Sequence, residues 1–134
     1  MPPPLSSLAP GLAGRKVLVV DDEPTILKII SFKLRLTGLQ PVEATGGEEA
    51  LRLVREEAPD LVLLDVSLTP GLTGFDVCRI LKENPATSRL PIVMLTARTL
   101  PSERDLGLRL GASSYLTKPF STKVLIQEIE KALS

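Results

Sequence analysis

Short apolar runs alternate along this chain with longer amphipathic stretches. Runs rich in β-branched residues and leucine occupy 16–20, 40–44, 61–65, 91–96 and 114–117. Apolar positions recur at helical spacing from Pro24 to just before Gly38, and again over 46–57, 74–84, 101–110 and 121–133. Near-continuous apolar runs mark strands buried on both faces, and strands that alternate with helices build parallel sheets covered on both sides. The pattern predicts an α/β fold, a (βα)5 doubly wound parallel five-stranded sheet. Its punctuation agrees, with Pro24 in the first turn of helix one, Gly38 just past its end and Gly111 stopping helix four.

Helix one puts Ile26, Leu27, Ile30 and Leu34 on a stripe expected to face the sheet. Ile29, Phe32 and Leu36 project from its flank. Two readings fit: the buried stripe is wide, or Leu5, Leu8 or Leu12 of the N-terminal segment, or a partner chain, packs on that flank. Residues 1–14 hold Pro2, Pro3, Pro4 and Pro10 with Gly11 and Gly14, a composition that sustains neither a helix nor an interior strand. They are expected to form a mobile tail, leaving 15–134 as the single domain.

Composition removes several classes of function. With 16 basic and 16 acidic residues, no basic run and 3% aromatic content, the chain lacks the electrostatic footprint of a nucleic-acid binder. Its apolar stretches are far shorter than the roughly 20 residues that span a bilayer, and residues 1–14 have no basic n-region, so a cytoplasmic location is expected. Cys78 is the single cysteine and is expected to serve as a small buried hydrophobe. The absence of histidine removes zinc sites of the usual kind and Ser/His/Asp triads.

The chemistry lies at the ends of the apolar runs. Val17–Val20 leads into Asp21 and Asp22, Leu61–Leu64 into Asp65, Ile92–Leu95 into Thr96, and the fifth run into Lys118. Ligands of open α/β sheets sit outside the carboxyl ends of the strands, and in the order 2-1-3-4-5 strands one and three are neighbours at the switch point. Taken singly, an Asp-Asp pair is usually a solvated turn and a Lys-Pro dipeptide a turn. Their coincidence at four strand ends carries the inference. Two unit charges 4 Å apart repel by about 4 kcal/mol at an effective dielectric of 20, so three carboxylates need more than the one ammonium of Lys118. An all-oxygen site of this kind suits Mg²⁺ or Mn²⁺. A carboxylate beside such an ion is a competent nucleophile for phosphoryl transfer, with Thr96 and Lys118 able to contact phosphoryl oxygens.

These residues also carry a resemblance. Val19-Val20-Asp21-Asp22-Glu23-Pro24, Leu63-Leu64-Asp65-Val66, Leu95-Thr96-Ala97 and Tyr115-Leu116-Thr117-Lys118-Pro119-Phe120 resemble the receiver domain of two-component response regulators, over about 16–133. The resemblance implies a flavodoxin-like fold and a stand-alone, chemotaxis-regulator-like signalling protein, not an enzyme acting on a separate substrate. It implies Asp65 as phosphoacceptor, Asp22 as a direct Mg²⁺ ligand, Asp21 as a ligand through water, and the Ser67 backbone carbonyl as a further ligand. Thr96 and Tyr115 would form the switch, with helix four, strand five and helix five as the read-out surface. The Lys118–Pro119 bond would be cis. The implied partners are a sensor histidine kinase or histidine phosphotransfer protein and a downstream protein target, with the chain a monomer or a weak phosphorylation-linked dimer.

One spacing departs from the family. Proline and glycine commonly stand four and eight residues after the phosphoacceptor, whereas Pro70 and Gly74 stand five and nine after Asp65. By that spacing the loop Val66 to Thr73 is expected to carry one extra residue beside the expected metal; Arg98 and Ser67 would flank the path of attacking water and tune hydrolysis, and a surface role for Arg98 fits equally well. Competing readings are a docking module that needs no phosphorylation, and the receiver fragment of a longer regulator. A dehalogenase-type phosphatase would want a carboxylate where Ser67 stands, and a flavin-binding relative would need a Ser/Thr-rich loop after strand one.

Overall fold

Residues 61–65 and 92–96 are apolar at almost every position, and each becomes a strand buried at all five positions. A computed structural model describes residues 11–68, 70–97, 101–118 and 120–134. Along the chain run β1 (Lys16–Val20), α1 (Pro24–Leu36), β2 (Gln40–Ala44), α2 (Gly47–Glu57) and β3 (Leu61–Asp65). Then follow α3 (Gly74–Glu83), β4 (Ile92–Thr96), α4 (Pro101–Arg109), β5 (Ser114–Thr117) and α5 (Thr122–Leu133). The strands pair in parallel in the order β2-β1-β3-β4-β5. This is the predicted doubly wound sheet. The more polar segments take the edges: β2 carries Pro41, whose missing N–H costs least on an outer strand.

Strand alternation divides the core into two layers. Leu18, Val20, Val62, Leu64, Ile92 and Met94 face α2 and α3, where Ala50, Val54, Val77 and Leu81 meet them. Val17, Val19, Leu61, Leu63, Val93 and Leu95 face α1 and α5, meeting Leu27, Ile30, Leu125 and Ile129. Each fully buried aliphatic side chain contributes roughly 1.5–3 kcal/mol. Cys78 lies in the first layer, and burial pushes its thiol pKa up, so it behaves as the expected small hydrophobe.

Helix ends follow local chemistry. Pro24 opens α1, and Gly38 and Gly111 follow α1 and α4 in left-handed backbone. The residues at 46 and 121, predicted as helical, are N-caps instead: Ser121 accepts from the N–H of Val124 in front of α5. Thr73 and Asp76 form a reciprocal capping box at the start of α3.

The flank of α1 corrects one expectation. Ile29, Phe32 and Leu36 are exposed at 46%, 60% and 40%, so the stripe is not wide enough to bury them. At about 100° per residue, Ile29 and Leu36 fall roughly 100–120° round the helix from Ile30, and Phe32 roughly 160°. Leu12 is buried, while the flank residues keep the exposure given above. Gly14 donates to the Gly38 carbonyl at 2.7 Å, so residues 11–14 of the expected tail lie against the fold. Leu5 and Leu8 lie outside the described residues. No helix among the described residues is long and apolar enough to cross a membrane.

Candidate functional site

Where β1 ends, the Asp21 N–H continues the ladder to the Ala44 carbonyl at 3.1 Å. The fully buried Asp21 side chain then turns the chain, Oδ1 accepting from the Glu23 N–H at 2.9 Å. Proline at 24 starts α1 immediately afterwards. Asp22 is half-buried beside it, and Asp65, the last residue of the adjacent β3, is 5% exposed. One carboxylate oxygen from each of Asp21, Asp22 and Asp65 comes within 4.8 Å of the others. The strand order thus brings together the three acidic residues that the sequence separates.

Lys118 reaches this cluster from the segment after β5, where its backbone N–H donates to the Thr96 carbonyl at 2.6 Å. Its Nζ donates to Asp21 Oδ2 at 2.9 Å and stands 3.8 Å from Asp65 Oδ2. Burial pushes the Asp65 carboxyl above its ordinary range; Lys118 opposes that shift, Asp21 and Asp22 add to it, and the Ser67 N–H opposes it. That N–H lies 3.4 Å from Asp65 Oδ1. Three carboxylates against one ammonium leave an excess of negative charge, and oxygen donors at this spacing fit a hard divalent cation. The donor chemistry therefore suits Mg²⁺.

Thr96 closes β4 and is buried, one strand along from Asp65. Tyr115 lies on β5 opposite Met94, half-buried, with its ring over Gly107 of α4. A Cβ at Gly107 would come 3.3 Å from the ring Cδ2, so the missing side chain makes room for the aromatic. Ser67 is exposed just beyond Asp65. Arg98 and Pro119, with the expected cis bond, lie outside the described residues.

Three relationships were not legible in advance. Lys118 is held by Asp21, although sequence reasoning assigned its ammonium to a phosphoryl oxygen. Gly74 packs against the end of β3: its N–H donates to the Val66 carbonyl at 3.0 Å, and a Cβ there would lie 2.8 Å from Val66 Cα and collide with the Asp65 carbonyl. Only glycine fits that approach. Beside Lys118 a largely apolar cavity of about 360 Å³ opens, lined by Ile26, Ile29, Ile30 and Lys33 of α1 and by Ala97, Lys118 and Phe120. The flank pattern of α1 was its one sequence signal.

The family model for the response regulator receiver domain matches residues 17–130. Among solved structures, a protein of Chloroflexus aurantiacus J-10-fl is similar at 36% identity, covering 90% of this chain and 98% of that one, with a TM-score of 0.85. The chemotaxis protein CheY4 of Vibrio cholerae is similar at 32% identity over 90% of this chain and 100% of that one, TM-score 0.84. The BeF3-activated N-terminal receiver domain of Klebsiella pneumoniae RstA is similar at 33% identity over 89% and 98%, TM-score 0.83. With the acidic cluster, the Thr96 strand end and the Lys118 ammonium in one place, the chain belongs to the response regulator receiver domains of two-component systems.

Proposed function

We propose that Asp65 accepts a phosphoryl group from a phosphohistidine of a sensor kinase or phosphotransfer protein, in a Mg²⁺-dependent reaction, and that the modification changes the protein-binding face of α4, β5 and α5. The observation that carries this reading is the convergence of Asp21, Asp22 and Asp65 on one another and on Lys118. Asp22 would hold the ion directly, Asp21 through water, and Asp65 and the Ser67 carbonyl would complete the protein's share. Both Asp21 oxygens already accept hydrogen bonds, which supports its indirect role. When bound, Mg²⁺ (or Mn²⁺) supplies neutralisation of oxygen charge during transfer.

The chain's own residues do the rest. An Asp65 carboxylate oxygen attacks phosphorus, the O–P bond forms, the P–N bond to the donor imidazole breaks, and the imidazole, carrying a proton on its other ring nitrogen, keeps the electron pair and leaves neutral. Lys118 and the Thr96 hydroxyl pair with phosphoryl oxygens. Movement of Thr96 toward the phosphoryl group draws Tyr115 with it, shifting the populations of a two-state aromatic. Exposed Leu106 and Leu108 on α4 and Val124 on α5 give the read-out face apolar contacts to offer. The cavity beside Lys118 and the exposed flank of α1 suit the docking of a protein donor close to Asp65.

The test is intact mass after incubation with Mg²⁺ and acetyl phosphate. A single Mg²⁺-dependent phosphoryl adduct, absent in Asp65→Asn, is the expected result. Full labelling of Asp65→Asn would overturn the assignment. Folded wild-type protein that takes no adduct would favour the docking module that works without phosphorylation.

A further inference from the structure

The loop between β3 and α3 bears Ser67 and is one residue longer than the family spacing. Each added loop residue brings roughly 1–2 kcal/mol of backbone entropy to be restrained, so a longer loop holds a ligating carbonyl less firmly unless it is tied down elsewhere. One end is tied to β3 through Gly74 and the Val66 carbonyl. A second tie comes from α2. The Glu48 Oε1, in the first turn of that helix, accepts from the Leu72 N–H at 3.3 Å. The same carboxylate lies directly against Gly71, where backbone at φ +96° and the lack of a side chain admit it: a Cβ there would stand 2.7 Å from Oε1. Gly47 completes the grip, since a Cβ on it would meet the Leu72 side chain at 2.8 Å.

Resting on the reading of Asp21, Asp22 and Asp65 as the Mg²⁺ site, we propose that Glu48 is a positioning residue for that site. By holding Leu72 and Gly71 on α2, it takes up the slack of the longer loop and keeps Ser67 at the carboxylates. Glu48 touches neither the ion nor the reacting atoms; its effect passes through the backbone. Because the residue is exposed, its replacement leaves the core intact.

The experiment is calorimetric Mg²⁺ titration of the wild type, Glu48→Ala and Glu48→Gln, together with NMR exchange of the Leu72 amide in metal-free protein. Glu48→Ala is expected to bind Mg²⁺ about three- to tenfold more weakly and to exchange Leu72 faster, with an unchanged Tm. Glu48→Gln keeps an acceptor oxygen and is expected to match the wild type on both counts. Wild-type Mg²⁺ affinity in Glu48→Ala would overturn the proposal. Equal weakening in both variants would also overturn it, by assigning the effect to charge instead of the hydrogen bond. A wild type that binds no Mg²⁺ would overturn the metal site itself, an outcome separate from failure of the clamp alone.

Discussion

The Lys118 ammonium is bonded to Asp21 at 2.9 Å, across 97 residues of sequence, and lies farther from Asp65 at 3.8 Å. Asp21 is fully buried, whereas the Lys118 side chain keeps 20% exposure. Asp21 thus holds the cation beside Asp65; under the proposed function it turns from there to a phosphoryl oxygen. Removing one partner of a buried pair leaves an uncompensated charge. Lys118→Met is therefore expected to destabilise the metal-free protein by about 2–3 kcal/mol and to slow phosphorylation, with Mg²⁺ restoring part of the stability. Urea unfolding with and without Mg²⁺ measures this, and equal stability of variant and wild type would refute it.

Asp65, the proposed phosphoacceptor, is a buried carboxylate that the fold tolerates at a cost. Its pKa is raised above the ordinary 3.8, chiefly by burial, so the ionised form is disfavoured in the folded state. A raised carboxyl pKa removes stability as pH climbs from the ordinary value through the folded one, and the loss is complete above that. Asp65→Asn is expected to raise the metal-free Tm at pH 7. The gain should vanish at pH 3 and shrink in saturating Mg²⁺. A lower Tm for the variant at neutral pH would contradict this account.

Asp22 differs from its neighbour in exposure. It is half-buried where Asp21 is sealed in, and under the proposed function it is the residue that ligates the ion directly. Asp22→Ala is expected to weaken Mg²⁺ binding at least about tenfold while preserving the fold, as a directly ligating carboxylate would. Calorimetric titration decides it; an unchanged isotherm would move the ion elsewhere.

On α1, Phe32 is 60% exposed and contributes little to the core. Phe32→Ser should change stability by no more than about 0.5 kcal/mol. If a protein donor docks on this flank, transfer from a phosphorylated kinase or phosphotransfer protein should fall about tenfold, while labelling by acetyl phosphate stays at the wild-type rate. Equal rates with both donors would remove α1 from the docking surface.

Periodicity made the five strands and five helices legible, because buried strands here are continuous apolar runs and the helices carry clear stripes. The site was legible for the same reason: Asp21, Asp65, Thr96 and Lys118 follow those runs directly. What was hidden depends on distance in the folded chain. Nothing near Lys118 in sequence names Asp21 as its partner, and Glu48 reads as an ordinary acidic residue in a first helical turn. The exposure of Phe32 was also hidden, since an apolar residue on a helix flank reads the same whether solvent or protein lies opposite.

Gly107 has a consequence for the stability of its own helix. It is the buried residue among the described positions of α4, whose Leu106 and Leu108 face solvent, so the helix meets the sheet through a residue with no side chain to anchor it. Glycine inside a helix also costs about 0.8–1 kcal/mol relative to alanine. The room made for the Tyr115 ring is therefore taken from the grip of α4, and a helix held with few buried side chains is of the kind that opens locally at low cost.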